Sequence, residues 1–363
     1  MAAKVAYLFG AGASEGALIY SGASRSILMK NLGLEIAEMI EGESILATVK
    51  NDLVSGADIE QLITLHEATG TRQHTDIAKG LKSLFRIELQ KRIDELGKSF
   101  FPQLIAALID MHSIDGLGEE LALILTTNYE DLIEKVIQRI NGGINYSVSA
   151  IFKDDSYCFK EQCVPVLKLH GSFNWKNEYP IVIQDDIEKD EDTIWIPPGV
   201  VKRRDLYPFN IIWGKAKELL EVDLLRIIGS SLSRNDWELI SLIYSTQRLR
   251  TDGKPPYSIE LIDYYDVADD IQKRYPYLNM KTMWKLDEVQ KHITDIHLPE
   301  FIEVGTAPEE RIEKIAKEYY SSEESKENIF TFWLKAKGDT LIDKNISLET
   351  PLGYFKDFVT EDL

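Results

Sequence analysis

Cysteine is nearly absent from this chain of 363 residues, which has two, Cys158 and Cys163. A pair of thiols excludes a disulfide framework and cannot alone supply a four-cysteine zinc site. It fits a reducing compartment, and the expected location is the cytoplasm. Positive charge is scarce as well. Lys and Arg number 41 against 60 Asp and Glu, giving a formal net charge of -19. Such a chain repels phosphate backbones, so direct nucleic-acid binding through a broad basic face is not expected. A local pocket for a small phosphorylated molecule is still allowed, because backbone N–H groups can hold phosphates. Long apolar runs are missing. None approaches the ~20 residues of a membrane span, and the Met-Ala-Ala-Lys start lacks the apolar core of a signal peptide, so no membrane association is expected. Repeats and low-complexity segments are absent too. What remains, 44% apolar and 28% charged residues, is the balance of a globular protein with a substantial core.

Against these absences stand several short apolar runs, each ending in small or polar residues. Val5 to Phe9 leads into Gly10-Ala11-Gly12-Ala13-Ser14. Leu121 to Leu125 leads into Thr126-Thr127-Asn128-Tyr129-Glu130-Asp131, and Val164 to Leu169 into His170-Gly171-Ser172. Leu224 to Ile228 precedes Gly229-Ser230-Ser231, and Ile259 to Ile262 precedes Asp263. Continuous apolar runs suit strands buried on both faces. Polar groups at the ends of such strands are what an open α/β sheet arranges around a ligand.

Helical periodicity fills the intervals. Apolar spacing predicts helices over Ser24–Ile40, Ala57–His66, Thr75–Leu96 and Phe100–Met111, then over Asp131–Ile140, Asn210–Val222 and Asp236–Leu249. The expected fold is a Rossmann-like parallel sheet with helices on both faces. A long helical insertion, about residues 24–115, follows the first strand. Residues 1–265 form the expected nucleotide-binding domain, and residues 266–363 an α+β extension for packing or assembly. In that extension a strand is expected around Met280–Leu286, with amphipathic helices over Ala307–Tyr320 and Glu327–Ala336. Gln184 to Asp192 reads as an acidic surface loop.

Each candidate residue has two readings. Gly10 and Gly12 leave room for backbone N–H groups to approach a pyrophosphate, or they make a structural turn. The loop lacks both the third glycine of a dinucleotide fingerprint and the Gly-Lys-Ser/Thr of a P-loop. The amide of Asn128 can orient a ribose hydroxyl or a water, or it can cap the next helix together with Asp131. His170 suits a general base, or it is a satisfied structural histidine. Ser230 and Ser231 let a ribose or phosphate lie against the backbone. Asp263 can accept ribose hydroxyls, or it faces solvent.

Gly-Ala-Gly-Ala-Ser, Thr-Thr-Asn-Tyr-Glu, Lys-Leu-His-Gly-Ser and Gly-Ser-Ser-Leu stand here in an order that resembles the sirtuin superfamily, across about residues 1–265. The chain is similar to its bacterial antiphage-defence branch, whose members destroy NAD. That resemblance implies NAD as substrate, with its pyrophosphate at Gly10 to Ser14 and its nicotinamide ribose at Asn128 and His170. It also implies dinucleotide contacts at Thr127, Asp131 and Gly229 to Ser231, and the adenosine near Asp263. Protein-deacylating sirtuins carry a zinc module and a Gly-Ile-Pro-Asp-Phe-Arg segment; this chain has neither, and Glu130 replaces their aspartate. No metal is expected. The expected reaction is hydrolysis of the nicotinamide–ribose bond, with a noncatalytic nucleotide-sensing or assembly subunit and a deacylase as alternatives. The resemblance further implies a homo-oligomer and a separately encoded ATPase partner of the HerA type.

Overall fold

The computed structural model describes residues 2–20, 29–42, 44–96, 100–114, 116–153, 163–184, 192–196, 204–250, 253–263 and 267–284. It also describes scattered positions between 330 and 355. Cys158, most of the acidic loop after Gln184, the start of the expected helix at Ser24 and the whole of Ala307–Tyr320 lie outside them. So does most of Glu327–Ala336.

Five strands form where continuous apolar runs meet turn residues: β1 (Ala3–Phe9), β2 (Glu119–Thr126), β3 (Val166–Lys168), β7 (Leu224–Ile228) and β8 (Ser258–Ile262). A sixth, β9 (Met280–Met283), comes from the expected C-terminal extension. Together they make one parallel sheet in the order β3-β2-β1-β7-β8-β9. From Val5 to Phe9 every residue of β1 is fully buried, as a central parallel strand between two helical layers requires. The chain leaves β1 toward β2 on one side and reaches β7 on the other. The strand order therefore reverses at β1, and the crevice of such a sheet opens there, beyond the carboxyl ends of its strands.

Helix α1 (Ala11–Tyr20) starts inside the glycine loop itself. The sequence pattern missed it because its small and apolar residues, interrupted by Ser14 and Glu15, do not gather on one face. Four further helices, α2 (Met29–Met39), α3 (Ala47–Val54), α4 (Ile59–Thr69) and α5 (Arg72–Glu95), build the lobe between β1 and β2, and α6 (Gln103–Asp110) returns to the sheet. Asp58 caps α4 by accepting from the Glu60 amide at 2.7 Å, and Gly70 ends it in the left-handed conformation. The lobe has its own core, in which Leu32, Ile36, Ile63, Leu81 and Phe85 meet Phe173 and Trp195. Those two aromatics belong to a small antiparallel sheet of β4 (Gly171–Lys176), β5 (Val182–Ile183) and β6 (Thr193–Trp195), ordered β5-β4-β6. The remaining helices are α7 (Leu132–Asn141), α8 (Phe209–Leu219), α9 (Trp237–Arg248) and α10 (Ala268–Arg274). Among the described residues, no helix is long and apolar enough to cross a membrane.

One row across the sheet is polar. Tyr7, Arg226 and Glu260 are register partners on β1, β7 and β8. Arg226 grips Glu119 with two hydrogen bonds of 2.6 Å, and reaches Glu260 at 2.6 Å and Tyr7 Oη at 2.9 Å. Tyr7 Oη in turn shares a hydrogen bond of 2.7 Å with His112 Nε2. Glu260 also accepts from the indoles of Trp284 (2.8 Å) and Trp333 (3.1 Å), so this row fastens the C-terminal residues to the sheet.

Candidate active site

Three turns meet at the crevice. Two of them interlock so closely that only glycine fits. The Gly10 amide donates to the Ile228 carbonyl (2.9 Å) and the Gly12 amide to the Gly229 carbonyl (2.8 Å). A Cβ on Gly10 would lie 2.6 Å from the Gly229 oxygen, and one on Gly12 would lie 2.8 Å from it. Gly229, at φ +62°, has still less room: its Cβ would stand 1.9 Å from the Ala13 nitrogen. The glycines therefore hold one backbone against another. Since the Gly10 and Gly12 amides are committed inside this pair, an anion beside the loop would meet the remaining N-terminal dipole of α1 rather than a full nest of free amides.

The third turn, Thr127 to Asp131, is stitched to its neighbours through the backbone. The Thr127 amide donates to Phe9 O (3.2 Å), Leu169 N to Thr126 O (2.9 Å) and Phe173 N to Tyr129 O (3.1 Å). These bonds carry Asn128 and His170, which are 42 positions apart in the sequence, to the rim of one cavity of about 380 Å³.

Asn128 is buried and its amide has one orientation. Nδ2 faces three acceptors: the Gly10 carbonyl (3.1 Å), Ser14 Oγ (3.0 Å) and Glu130 Oε1 (3.0 Å). An amide oxygen in that place would face two of them without a proton to share. Oδ1 is thereby presented as an acceptor. Ser14 donates to Glu130 Oε1, which completes a triangle beneath the cavity floor. Burial raises the pKa of Glu130 above the usual carboxylate range, opposed by Lys168 and by the Ser14 hydroxyl. Lys168, fully buried, donates to the Glu130 carbonyl and pairs with Glu134 at 2.8 Å. Glu130 Oε2 is buried without a hydrogen-bond partner.

His170 is 4% exposed and sits between two aromatic rings, those of Tyr129 (centroids 6.3 Å apart) and Trp213 (6.4 Å). Trp213 Nε1 donates to the Leu169 carbonyl at 2.8 Å and so props up the residue before the histidine. Tyr129 stacks on Phe173 at 5.2 Å and donates to Ile196 O at 2.9 Å. Gly171 must be glycine for the chain to turn into β4: its φ is +75°, and a Cβ would lie 2.4 Å from Ile194 O.

The helical lobe closes the far side of the cavity. Phe85 and Leu89 come from α5, and Asp58 and Glu60 from the start of α4. Asn235, in the loop beyond β7, donates to Glu60 Oε2 at 2.9 Å, a bond that joins the lobe to the sheet at the cavity edge. Five carboxylate residues line the space, Asp58, Glu60, Glu130, Asp236 and Asp263, with no Lys or Arg among the described lining.

Ten of the residues expected from the sequence line this cavity: Gly10, Ala11, Gly12, Thr127, Asn128 and His170, together with Gly229, Ser230, Ser231 and Asp263. Three do not. Ala13 is buried against the Gly229 turn, Ser14 lies beneath the floor holding Asn128 and Glu130, and Asp131 pairs with Lys135 at 2.9 Å. Glu60 and Asn235 were missed, and Glu130, read from the sequence as standing where the deacylases have aspartate, was not read as the residue that orients Asn128. Asp58 and Glu60 read in the sequence only as the start of a helix, and Phe85 only as one more apolar position of α5. Nothing local marks residues that a lobe brings in from another part of the chain.

Residues 122–281 match the family model described as the SIR2-like domain. No curated protein matches the chain. Similar solved structures include one described as "Structural Basis for the Mechanism and Regulation of Sir2 Enzymes", at 12% identity and TM-score 0.38, covering 78% of this chain and 86% of that one. A second, "The Structural basis of Sirtuin Substrate Affinity", has 14% identity and TM-score 0.38, with 77% and 87% covered. A third is an ADP-ribose complex of a serine-to-alanine variant of a Sir2 homologue, at 14% identity and TM-score 0.34, with 77% and 85% covered.

Proposed function

We propose that this cavity binds NAD and hydrolyses its nicotinamide–ribose bond, giving nicotinamide and ADP-ribose. One observation carries the reading. The Asn128 amide is locked by Gly10, Ser14 and Glu130 so that its oxygen is left to accept, and His170 lines the same cavity. In the reaction the bond from the anomeric carbon to the pyridinium nitrogen breaks, its electron pair leaves with nicotinamide, and an oxocarbenium-like ribose remains. Asn128 Oδ1 orients the attacking water or a ribose hydroxyl. His170 accepts the proton released as the new C–O bond forms, an effect of roughly 10²–10⁴-fold for a well-placed base. Tyr129 and Trp213 hold the imidazole in place.

The lining suits this substrate. The pyridinium half is cationic, and the carboxylates around the space favour it. The pyrophosphate is to be held without Lys or Arg, by the start of α1 and the Ser230 and Ser231 turn. Asp263, at the end of β8, accepts from the adenosine ribose, and Thr127 completes the wall. The chemistry of the site, together with the SIR2-like match, supports a role as an NAD-depleting effector of bacterial antiphage defence. In that role it acts in the cytoplasm as a homo-oligomer with a separately encoded ATPase of the HerA type. Nicotinamide release by the purified protein, alone and with the product of its neighbouring gene, tests the reaction. Binding without release in either state would favour a sensor subunit instead.

A further inference from the structure

A second cleft of about 440 Å³ lies between α8 and α9, and Trp213, whose ring neighbours His170, lines it. Its α8 wall is Asn210, Trp213, Gly214 and Lys217, spaced three and four apart so that they share one helix face. Ser241 and Ser245, four apart on α9, form the opposite wall, and Arg204 closes one end.

The polar groups of this cleft are mostly donors. Arg204 lies over the Trp213 ring, 5.5 Å from its centroid, and neither Arg204 nor Lys217 has an ion-pair partner among the described residues. In a chain of net charge -19, two unpaired cations in one cleft are a local exception. Asn210 Oδ1 already accepts from the Ile211 amide at 2.9 Å, which leaves its NH₂ to donate. The Ser241 hydroxyl has no partner among the described residues, whereas Ser245 donates to Leu242 O at 3.0 Å. Asp205 is the single carboxylate in the lining. Gly214 keeps the floor open, since a Cβ there would meet nothing within 4 Å.

We propose that this cleft is a second binding site, for a small phosphate-bearing molecule held by Arg204, Lys217, Asn210 and Ser241. Charged and neutral N–H and O–H donors arranged around a concave space are the chemistry that recognises a phosphoryl group. The volume is that of a small-molecule pocket rather than a protein interface. Trp213 makes the site more than a surface feature. The same indole lines the cleft, stacks near His170 at 6.4 Å and donates to Leu169 O, so an occupant that shifts Trp213 shifts the imidazole.

Calorimetric titration of the purified full chain with AMP, ribose 5-phosphate, inorganic phosphate and adenosine tests this without requiring NAD cleavage, so its outcome is independent of the reaction proposed above. The expected result is binding of at least one of the three phosphate probes. Response to inorganic phosphate marks a reader of the phosphate alone, and response only to the two esters marks one that also needs the sugar. An Arg204→Glu/Lys217→Glu double variant should weaken that binding by roughly tenfold or more, as should Gly214→Leu, which fills the floor without reversing charge. Unchanged affinity in both variants would place the ligand in the other cavity and overturn the proposal, as would the failure of all three phosphate probes to bind the wild type. At saturation the His170 imidazole resonance, assigned by its loss in His170→Gln, should move. Binding with that resonance unmoved would overturn the link through Trp213.

Discussion

Glu130 Oε1 accepts from Asn128 Nδ2 at 3.0 Å, and Ser14 donates to the same oxygen. Glu130 thus sets which end of the asparagine amide meets the cavity. Glu130→Ala removes that constraint, and loss of orientation at a reacting centre can cost about 10²-fold in rate. The expected result is a fall of this order in kcat for nicotinamide release with little change in KM. Glu130→Gln, which keeps an acceptor oxygen at the same reach, should recover most of it. Equal kcat in wild type and Glu130→Ala would show that the amide is held without it.

The interlocked turns give a stability prediction. Gly229→Ala puts a Cβ 1.9 Å from Ala13 N at a positive φ, so the turn pair must separate. A loss of about 3 kcal/mol or more is expected, read as a lower thermal midpoint. Gly33→Ala, in the middle of α2 with its nearest neighbours 3.8 Å away, should instead gain about 0.5–1 kcal/mol. The same geometry applies at Gly12: a valine there collides with the Gly229 backbone, so any loss of NAD binding in Gly12→Val would report a disrupted turn.

The Arg226 row predicts acid sensitivity. Burial, joined by the neighbouring Arg226 cation, lowers the pKa of His112 from its ordinary 6.5 to about 4. A base depressed in the folded state contributes stability above its unfolded pKa and loses it as pH falls toward the folded one. From pH 7 to pH 5 the loss is about 2 kcal/mol from His112. Burial would raise Glu119 and Glu260, but Arg226 holds both below the usual carboxylate range, so they add to the loss at still lower pH. Glu130 and Glu134 act oppositely: burial raises both despite Lys168, and their contribution falls as pH rises through their folded pKa values. Denaturant midpoints at pH 7 and pH 5 check this. His112→Asn should flatten the drop, and an equal drop in that variant would locate the acid sensitivity elsewhere.

A lining with five carboxylates and no described cation predicts discrimination between dinucleotides. The 2′-phosphate of NADP would enter a negative field near Asp263. NADP should be cleaved with kcat/KM lower than that of NAD by roughly tenfold or more. Asp263→Asn should narrow the gap. Equal efficiencies would mean that the adenosine ribose lies away from Asp263.

Much of this architecture was legible because it rests on local signals. Continuous apolar runs gave the strands from Val5, Leu121, Leu224 and Ile259, and the residues after them do gather at one crevice. Helix α1 escaped because its small and apolar residues, with Ser14 and Glu15 among them, form no single apolar face to detect. The β4 strand escaped because His170-Gly171-Ser172 reads as a turn, while its partners Val182 and Trp195 are set by pairing across loops. Ser14 was legible as a site residue but not as a support, since its partners Asn128 and Glu130 stand more than a hundred positions away. Glu60 reaches Asn235 across 175 positions, a closeness that only the packed lobe creates.

The most direct measurement is nicotinamide release from NAD by wild type and by Asn128→Ala, alone and with the neighbouring gene product, with circular dichroism confirming the fold. The prediction is free nicotinamide and ADP-ribose from the wild type in at least one state, and a loss of roughly 10²-fold or more in the variant. Wild-type rates from Asn128→Ala, or no release from the wild type in either state, would contradict it.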